Sequence, residues 1–489
     1  MPSAPTPVRP AAPTGIPRST FALLAAFAAF AFTIIVPTAL RDGDTGWHLA
    51  TGAWIVAHAS VPTTDPFSFT ATGRLWVAHE WLSELAMYAS YRAAGWSGLI
   101  VLIGTAMAAL FALTAYEIRR WLGTRASIVA LLLLITGLLP SLLARPHILA
   151  LPMLAGWLIV LLHARERGAA PPLHVALLML VWANAHGSFV FGLALVGVFA
   201  FETLIAASAS DRRHVIVGWG AFGLACAVAA TATPAGLDGL LFPFYVDRLK
   251  LLVHLNEWQP ADFATFSGFE AILLATLACL LVRPVRIPPV RLLLLFGVLH
   301  LALQHTRQEI ILVVVGILVL AEPIGKAWSK EAAPSPKPST PRATMPIGVL
   351  ILALAIGLGA YRIAVPVVRA DSAGIPATAL RHLPPPLRSQ RVFNEYSFGG
   401  SLILAGIAPY IDGRSDMYGD PFTLDYFQIA AGDAGRWRAA NAYWHFGWTI
   451  LPPRSPLIAM LDHDPAWRRI YADDTAVIHQ GIPAHRPNP

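Results

Sequence analysis

The stretch STFALLAAFAAFAFTIIVPTALRDGDTGWHLATGAWIVAH, residues 19–58, indicates the fold class of the chain. It begins with an apolar run over 19–39, which is long enough to cross a bilayer, since a spanning helix needs about 20 residues. Two acids, Asp42 and Asp44, follow that run directly, and a short amphipathic helical segment comes next. The stretch therefore predicts a membrane span that ends on two carboxylates.

The composition of the whole chain is typical of a multi-span membrane protein. Of its 489 residues, 56% are hydrophobic and 13% are charged, and the mean hydropathy is +0.59. A soluble domain carries about 25% charged residues. The net charge of +7 does not indicate a nucleic-acid partner, because the basic residues are scattered at the ends of apolar runs. Cys226 and Cys279 lie inside apolar runs, which argues against a disulfide framework or a cysteine metal site.

Apolar runs of spanning length predict about eleven membrane spans. Loops on the same side as the N-terminus carry more than twice as many Lys and Arg residues as the loops on the other side. The positive-inside rule therefore predicts a cytoplasmic N-terminus. The predicted spans are 19–39, 97–117, 126–143, 147–163, 172–186, 188–208, 214–232, 267–282, 291–305, 308–324 and 346–366.

An odd number of spans leaves the C-terminal segment 367–489 on the outer side. That segment alternates strand and helix patterns, as in RVFNEYSFGGSLILAGI, and predicts a small α/β domain. The predicted fold class is an α-helical polytopic membrane protein with a small extracytoplasmic α/β C-terminal domain. The predicted units are a disordered cytoplasmic N-terminus 1–18, a transmembrane domain 19–325 with a long first outer loop 41–96, a cytoplasmic Pro/Ser-rich linker 326–345, a last transmembrane helix 346–366, and the domain 367–489.

Acids, histidines and arginines cluster on the predicted outer side, whereas the inner loops are short, basic and otherwise plain. This one-sidedness indicates an extracytoplasmic active site at the membrane surface, or the mouth of a substrate path. The outer residues are Asp42, Asp44, His48, Asp65, His79, Glu80, Arg145, His147, Asn184, His186, Glu257, His305, Arg307 and Glu309.

The acids of the first outer loop are the candidate catalytic residues. Asp42 and Asp44 form a D-x-D, which can hold a divalent cation, or in which one acid is a base that the other tunes. Alternatively, both are hydrated acids at a helix exit, or Asp44 caps the next helix. Glu80 is either a further acid, base or metal ligand, or an acid favoured by the helix N-terminus.

Basic residues near the outer surface are the candidate substrate-binding residues. Arg145 and His147 lie in a tight turn between two spans, where an arginine suits a phosphate or snorkels to lipid headgroups. His79, His186 and Arg307 lie at other span boundaries. Ionisable residues at such positions are functional candidates by default, although a lone histidine is more often a structural hydrogen-bonding group.

Several strings resemble those of a large group of bacterial multi-span proteins. They include DGDTGWHLATGAWI, VAHEWLSELAMY, WANAHGSFVFGL, NEWQPADF, VFNEYSFGGSLI and IDGRSDMYGD. That group is similar to the GT-C superfamily of membrane glycosyltransferases. The resemblance implies many spans, an outer C-terminal domain and polyprenyl-phosphate-linked sugar donors. It also implies that Asp42 and Asp44 match the acidic motif of the first outer loop.

We therefore expect a glycosyltransferase of the bacterial inner membrane. It would move a sugar from a polyprenyl-phosphate carrier to an envelope glycan, lipid or protein acceptor on the outer face. Asp44 would be the general base, helped by Asp42 and Glu80, with a divalent cation as an open alternative. Arg145, His147, His186, Arg307 and His79 would bind substrate. The competing hypotheses are a transporter, or a non-enzymatic assembly partner, for lipid-linked envelope polysaccharide.

Overall fold

A computed structural model describes residues 16–328 and 345–482 of the chain. Most of the predicted N-terminal segment 1–18 and most of the predicted linker 326–345 lie outside the described residues. So do the last residues, 483–489.

The part of the chain up to residue 364 is helical. Its helices are α1 (Arg18–Ile35), α2 (Thr45–His58), α3 (Trp81–Ile118), α4 (Thr124–Leu138), α5 (Pro146–Arg167), α6 (Ala176–Ala185), α7 (Phe189–Ala206), α8 (Arg212–Thr231), α9 (Gly236–Val246), α10 (Gly268–Val282), α11 (Pro289–Gln304), α12 (Glu309–Trp328) and α13 (Met345–Ala364).

Eight helices in the described part of the chain are long and apolar enough to cross a membrane. The other three predicted spans, 172–186, 267–282 and 291–305, correspond to shorter apolar helices. The predicted boundary near residue 187 is present, because α6 ends at Ala185 and His186 adopts an extended backbone before α7 begins. The sequence did not predict α9, a further short apolar helix.

Helix α3 lies at the centre of the bundle and packs against α1, α2 and α5. Its dihedral angles break at Ala94 and Gly95, and Gly95 has a φ of 57°, a value that glycine adopts at low cost. The first turn of the helix, well before this break, carries the acid Glu84, and the part after the break coincides with the predicted span 97–117. One helix therefore connects the surface site to the membrane core.

The C-terminal segment forms an α/β domain, as predicted. Its sheet has the order β1-β2-β4-β3, in which β1 and β2 are parallel and the other pairs are antiparallel. The elements are α14 (Ala377–His382), β1 (Val392–Asn394), α15 (Gly399–Leu404), α16 (Ser415–Ala430), α17 (Ala434–Trp444), β2 (Trp448–Leu451), α18 (Pro456–His463), β3 (Trp467–Ala472) and β4 (Val477–Gly481).

The first outer loop packs into this domain rather than standing apart from it. Trp47 of α2 and Trp76 share a hydrophobic core with Phe393 and Tyr410. The amphipathic segment predicted after the first span forms helix α2. Its Trp47 is buried between the bundle and the C-terminal domain, where it fills the core that the two share.

Buried ion pairs tie the helices together at the opposite end of the bundle. Arg291 bonds Glu202 at 3.1 Å and Glu322 at 2.9 Å, which joins α7, α11 and α12. Glu117 pairs with Arg120 at 2.7 Å and with His163 at 2.9 Å. The prediction of plain inner loops did not cover these charges, because they lie inside the helices, where Glu117, Glu202 and Glu322 each pair with a basic side chain.

Candidate active site

Two loops meet where α1 and α5 reach the C-terminal domain. The backbone N–H of Ala144 donates to the carbonyl of Ala39 at 2.8 Å, and the Thr45 hydroxyl donates to the carbonyl of Ala144 at 3.1 Å. Arg145 follows in extended conformation, and Pro146 begins α5 at once. These bonds hold the Arg145 side chain beside the two acids of the first loop.

The guanidinium of Arg145 binds three carboxylates. It bonds Asp42 at 2.5 and 2.7 Å, Asp44 at 2.9 Å and Glu257 at 3.1 Å. Asp44 directly precedes α2, but its side chain makes no capping hydrogen bond. The helix-cap hypothesis for Asp44 is therefore wrong: its carboxylate faces Arg145 instead.

Arg307 reaches the same group of charges through Glu257. Its guanidinium lies 3.5 Å from the Glu257 carboxylate and 4.5 Å from the centre of the Trp258 ring. About a third of its side chain is exposed, at 33%. Arg307 therefore has one long ion pair, whereas Arg145 has three close ones.

The two acids of the D-x-D differ in protonation. Burial raises the pKa of Asp44 to about 7, because the attraction of Arg145 does not offset the loss of water and the nearby charge of Asp42. Burial acts on Asp42 as well, but the charge and the two bonds of Arg145 lower its pKa below the usual value. Asp42 is thus a fixed anion, while Asp44 can exchange a proton near neutral pH.

A second cluster surrounds Glu80, at the start of α3. One Glu80 oxygen lies 3.3 Å from His186 Nε2 and 3.6 Å from His79 Nε2, and the other lies 3.9 Å from His48 Nδ1. The same His48 atom lies 3.1 Å from Glu84, one helical turn further along α3. His48 therefore lies near both carboxyl groups, whereas His79 and His186 lie near Glu80 only.

Burial sets the charges of this second cluster. It raises the pKa of Glu80 to about 8, because the positive charges of Arg307 and Arg145 offset only part of the effect of burial. It lowers the pKa of His79 to about 4, and it also lowers the pKa of His48 and His186. At neutral pH the cluster therefore holds neutral imidazoles and a protonated Glu80.

The C-terminal domain closes one side of the site. A Cβ atom on Gly413 would collide with the Asp44 carboxylate, so glycine is needed for this close approach. The Tyr396 hydroxyl donates to the Gly413 carbonyl at 3.2 Å. Burial raises the pKa of Asp416 to about 6, and the Tyr245 hydroxyl of α9 donates to the Asp416 carbonyl at 3.2 Å.

Arg414 connects the C-terminal domain to the first loop. It bonds both oxygens of Asp412 at 2.7 Å and Asp65 of the loop at 2.7 Å, and Tyr418 donates to Asp412 at 2.7 Å. Arg414 is almost fully buried. The IDGRSDMYGD string thus forms a structural Asp–Arg network, and its Gly413 and Asp416 reach the site.

The predicted site residues fall into two groups. Asp42, Asp44 and Arg145 are in direct contact, and Glu257 connects Arg307 to them. His79 and His186 are grouped around Glu80 instead. His147 stands at the edge: its Nε2 bonds the Ser141 carbonyl at 2.8 Å, and its ring centre lies 6.4 Å from that of His186.

Several residues of the site were given no role from the sequence. His48 and Glu257 were named only among the outer residues, and Glu84, Tyr396 and Asp416 were not selected. Helical spacing was an available signal for two of them, because His48 is four residues from Asp44 and Glu84 is four residues from Glu80. Residues at that spacing lie on one helix face.

A divalent cation does not fit these side chains as they are arranged. Within 16–328 and 345–482, no three His, Cys, Asp or Glu side chains are placed to hold a metal ion. Both Asp42 oxygens bind Arg145. His186 Nδ1 accepts the Ser188 backbone N–H, which leaves the proton on Nε2, the nitrogen that faces Glu80.

Comparisons with known proteins show the fold. No family model matches the chain, and no curated protein matches it. Its structure is similar to the apo crystal structure of an oligosaccharyltransferase from Archaeoglobus fulgidus, with a TM-score of 0.53 and 11% identity over 88% of this chain and 69% of that one. The predicted GT-C-like fold is confirmed: a bundle of membrane helices with a small α/β domain.

Proposed function

We propose that the protein is a membrane glycosyltransferase that moves a sugar from a polyprenyl-phosphate carrier to a hydroxyl or amide of an envelope acceptor. The observation that carries the proposal is the Asp44 carboxyl, held by Arg145 at the exit of α1 in a GT-C-like fold. A lipid-linked donor presents its scissile bond at headgroup level, where this carboxyl is expected to lie.

Asp44 is assigned as the general base. A base works best when its pKa lies near the working pH, and burial brings the pKa of Asp44 to about 7. Arg145 positions it, while Asp42 balances the charge of Arg145. The acceptor proton moves to Asp44 as the acceptor atom attacks the anomeric carbon of the sugar.

Arg307 is assigned to the phosphate of the donor. Arg145 directs its nitrogens at three carboxylates, whereas Arg307 has one ion pair, at 3.5 Å, and remains partly exposed. A guanidinium suits phosphate because it offers paired charge-assisted hydrogen bonds. His147, whose ring centre lies 6.4 Å from that of His186, is assigned to the same substrate.

A shallow apolar groove that begins at Trp81, the residue after Glu80, suits the lipid part of the donor. It measures about 440 Å³ and lies where α3, α6 and the end of α8 meet. Its lining is largely hydrophobic, which fits a prenyl chain better than a polar ligand. The lining residues are Trp81, Leu82, Leu180, Val181, Asn184, Ala232, Thr233 and Pro234.

The distribution of Lys and Arg supports a particular orientation. It favours a cytoplasmic N-terminus, which puts the site and the C-terminal domain on the periplasmic or extracellular face of a bacterial inner membrane. Both carboxyl clusters lie at the end of the bundle that contacts the C-terminal domain.

The test is a mass profile of glycans and lipid-linked sugars in a strain that lacks the gene. The strain is complemented at matched protein levels with the wild type, with Asp44→Asn, or with Asp474→Asn as a control on an exposed acid of the C-terminal domain. We expect the wild type and Asp474→Asn to restore a missing sugar, and Asp44→Asn to leave its lipid-linked donor accumulated.

The same profile separates the competing hypotheses. Equal restoration by Asp44→Asn would overturn the proposal in favour of a non-enzymatic assembly partner. Accumulation of a completed glycan, with no missing sugar, would favour a transporter.

A further inference from the structure

Glu80 lies between a hydrogen-bond donor and a hydrogen-bond acceptor. The tautomer of each flanking histidine follows from its other ring nitrogen. His186 Nδ1 accepts the backbone N–H of Ser188 at 3.1 Å, so a neutral His186 carries its proton on Nε2, which faces Glu80 at 3.3 Å. His79 Nδ1 donates to the Val77 carbonyl at 3.3 Å, so its Nε2, 3.6 Å from the same Glu80 oxygen, has a free lone pair.

The Ser188 side chain supports this assignment for His186. The indole N–H of Trp182 donates to the Ser188 hydroxyl oxygen at 3.0 Å. The Ser188 hydroxyl proton is then free to point at His186 Nδ1, which lies 2.8 Å away. Both the backbone and the side chain of Ser188 therefore direct hydrogens at Nδ1.

A protonated Glu80 is compatible with both histidines, whereas an ionised Glu80 is compatible with one. With the proton on the oxygen that faces both rings, a lone pair of that oxygen meets the His186 N–H at 3.3 Å and its hydrogen faces the His79 lone pair at 3.6 Å, which is too long for a hydrogen bond and leaves the hydrogen available to a substrate. An ionised Glu80 would place a negative charge opposite the lone pair of His79, in a site where its side chain is only 12% exposed. Buried polar groups without a matching partner are costly.

Glu84 places a second carboxyl directly behind Glu80. Its side chain is 1% exposed, and its Oε2 atom has no hydrogen-bond partner among the described residues. Two adjacent buried carboxyl groups cannot both ionise cheaply when only neutral histidines separate them. His48, which contacts both acids, therefore couples the protonation of Glu84 to that of Glu80.

We propose that Glu80 is kept protonated by His79 and His186, with His48 and Glu84 as positioning residues, and that it donates a hydrogen bond to the departing phosphate oxygen of the donor. This assignment rests on the proposed function and deepens it. Asp44 and Glu80 then have opposite roles: Asp44 receives the acceptor proton, and Glu80 supplies a hydrogen to the leaving group.

The step balances without net proton transfer from Glu80. The bond between the acceptor atom and the anomeric carbon forms, the bond between that carbon and the phosphate oxygen breaks, and the acceptor proton goes to Asp44. A phosphate monoester has a second pKa of about 6. Glu80 has a higher pKa, about 8, so the hydrogen is shared with the phosphate but stays on Glu80.

The charged groups that face Glu80 come from several elements. His48 lies on α2, Glu84 lies on α3, and His79 and His186 lie in the flanking loops. Arg307 and Arg145 favour the ionised form of Glu80, whereas Asp416 and Glu257 oppose it, and burial exceeds each of these effects.

The first experiment measures protonation without any substrate. The purified full-length protein in lipid nanodiscs is titrated from pH 5 to 10 by infrared difference spectroscopy in the region of the protonated carboxyl stretch. We expect a band at neutral pH that titrates above pH 7 and is lost in Glu80→Gln but kept in Asp474→Asn. A spectrum of Glu80→Gln that matches the wild type at every pH would overturn the proposal.

His48→Gln tests the positioning role in the same titration. We expect it to move the apparent pKa of the Glu80 band by about one unit, because it removes the group that couples the two carboxyls. A residue that only packs would leave the titration in place, so an unmoved band in a folded His48→Gln protein would remove His48 from the proposal.

The second experiment uses the complemented strain and distinguishes the role of Glu80 from the proposed function itself. A glutamine amide still donates a hydrogen bond but cannot ionise, so Glu80→Gln should retain at least several-fold more sugar transfer than Glu80→Ala. Equal loss in both variants would overturn the role of Glu80 as donor. If the proposed function itself were wrong, a different result would appear: Asp44→Asn would restore the sugar as well as the wild type does.

Discussion

A single nitrogen of Arg145, Nη2, bridges the two acids of the D-x-D, at 2.7 Å from Asp42 and 2.9 Å from Asp44. The remaining guanidinium nitrogens bind Asp42 again and Glu257. The D-x-D motif can bind a metal cation, but here it binds the guanidinium of Arg145. Because Arg145 directly precedes α5, the position of Asp44 depends on how α1 and α5 pack.

Removal of Arg145 should destabilise the protein as well as inactivate it. Arg145→Met leaves Asp42, which is 8% exposed, without its cation, and breaking a buried pair in this way costs about 3 kcal/mol or more. We expect a lower midpoint of thermal unfolding in detergent and no sugar transfer. Arg41→Met, at an exposed arginine of the first outer loop, is the control. Equal midpoints for Arg145→Met and wild type would contradict the assigned contacts.

The pH dependence of transfer should show an acid limb set by Asp44. A base is active when ionised, so activity rises as the pH increases through about 7, the pKa to which burial raises Asp44. Loss of a general base lowers rates by about 10² to 10⁴. Asp44→Asn should therefore transfer at least about a hundredfold less sugar at pH 8. A flat profile from pH 5 to 8 in the wild type would rule out Asp44 as the base.

The stability of the protein should decrease, whereas its activity increases, as the pH rises toward the pKa of Asp44. The folded pKa of Asp44 lies above its value in an unfolded chain, so the folded state binds more protons there and loses stability as the pH rises from about 4 to 7. Asp44→Asn removes this effect. We expect its unfolding midpoint to exceed that of the wild type at pH 8 but not at pH 4. A deficit at pH 8 would mean that the Arg145 pair outweighs burial.

The connection between the first loop and the C-terminal domain should depend on Arg414. Arg414→Met leaves two buried carboxyls, Asp65 and Asp412, unpaired and should destabilise the folded state by about 3 to 5 kcal/mol. The control is Arg436→Met, whose exposed pair with Asp425 is worth about 1 kcal/mol or less. Limited proteolysis of residues 59–80 provides the measurement: rapid cleavage in Arg414→Met only is the expected result.

Close backbone packing should make two glycines of the first loop intolerant of a methyl group. A Cβ on Gly43 would collide with the carbonyl of Ser397, and one on Gly46 with the carbonyl of Gly400. Overpacking of this kind costs about 1 to 3 kcal/mol. Gly43→Ala should lower both the unfolding midpoint and transfer, whereas Gly197→Ala, with open space around it in α7, should change neither. A neutral Gly43→Ala would show that the loop can move away from the domain.

Apolar run length and turn residues were enough to predict the bundle and the α/β domain. Each of the eleven predicted spans coincides with a helix in the described part of the chain, because spanning length is a strong local signal. The break between α6 and α7 was also visible, in the string around His186 and Gly187. Helix α9 was missed because it is short and contains Pro243.

The site was harder to predict, because its partners come together only in three dimensions. The sequence selected Asp44 and Arg145 but could not show that they touch across about a hundred residues of chain. It placed Glu257 among the outer residues without a role, although Glu257 connects Arg145 to Arg307. Local patterns identify residue types at span ends, whereas ion-pair networks depend on tertiary packing.

The contact between Gly413 and Asp44 has a consequence for biogenesis. The wall of the site that Gly413 and Tyr396 provide is synthesised after every membrane helix described here, because both residues follow α13. The first loop is therefore synthesised well before the residues that complete its side of the site. On the proposed function, sugar transfer would begin only after the C-terminal domain has folded onto α2.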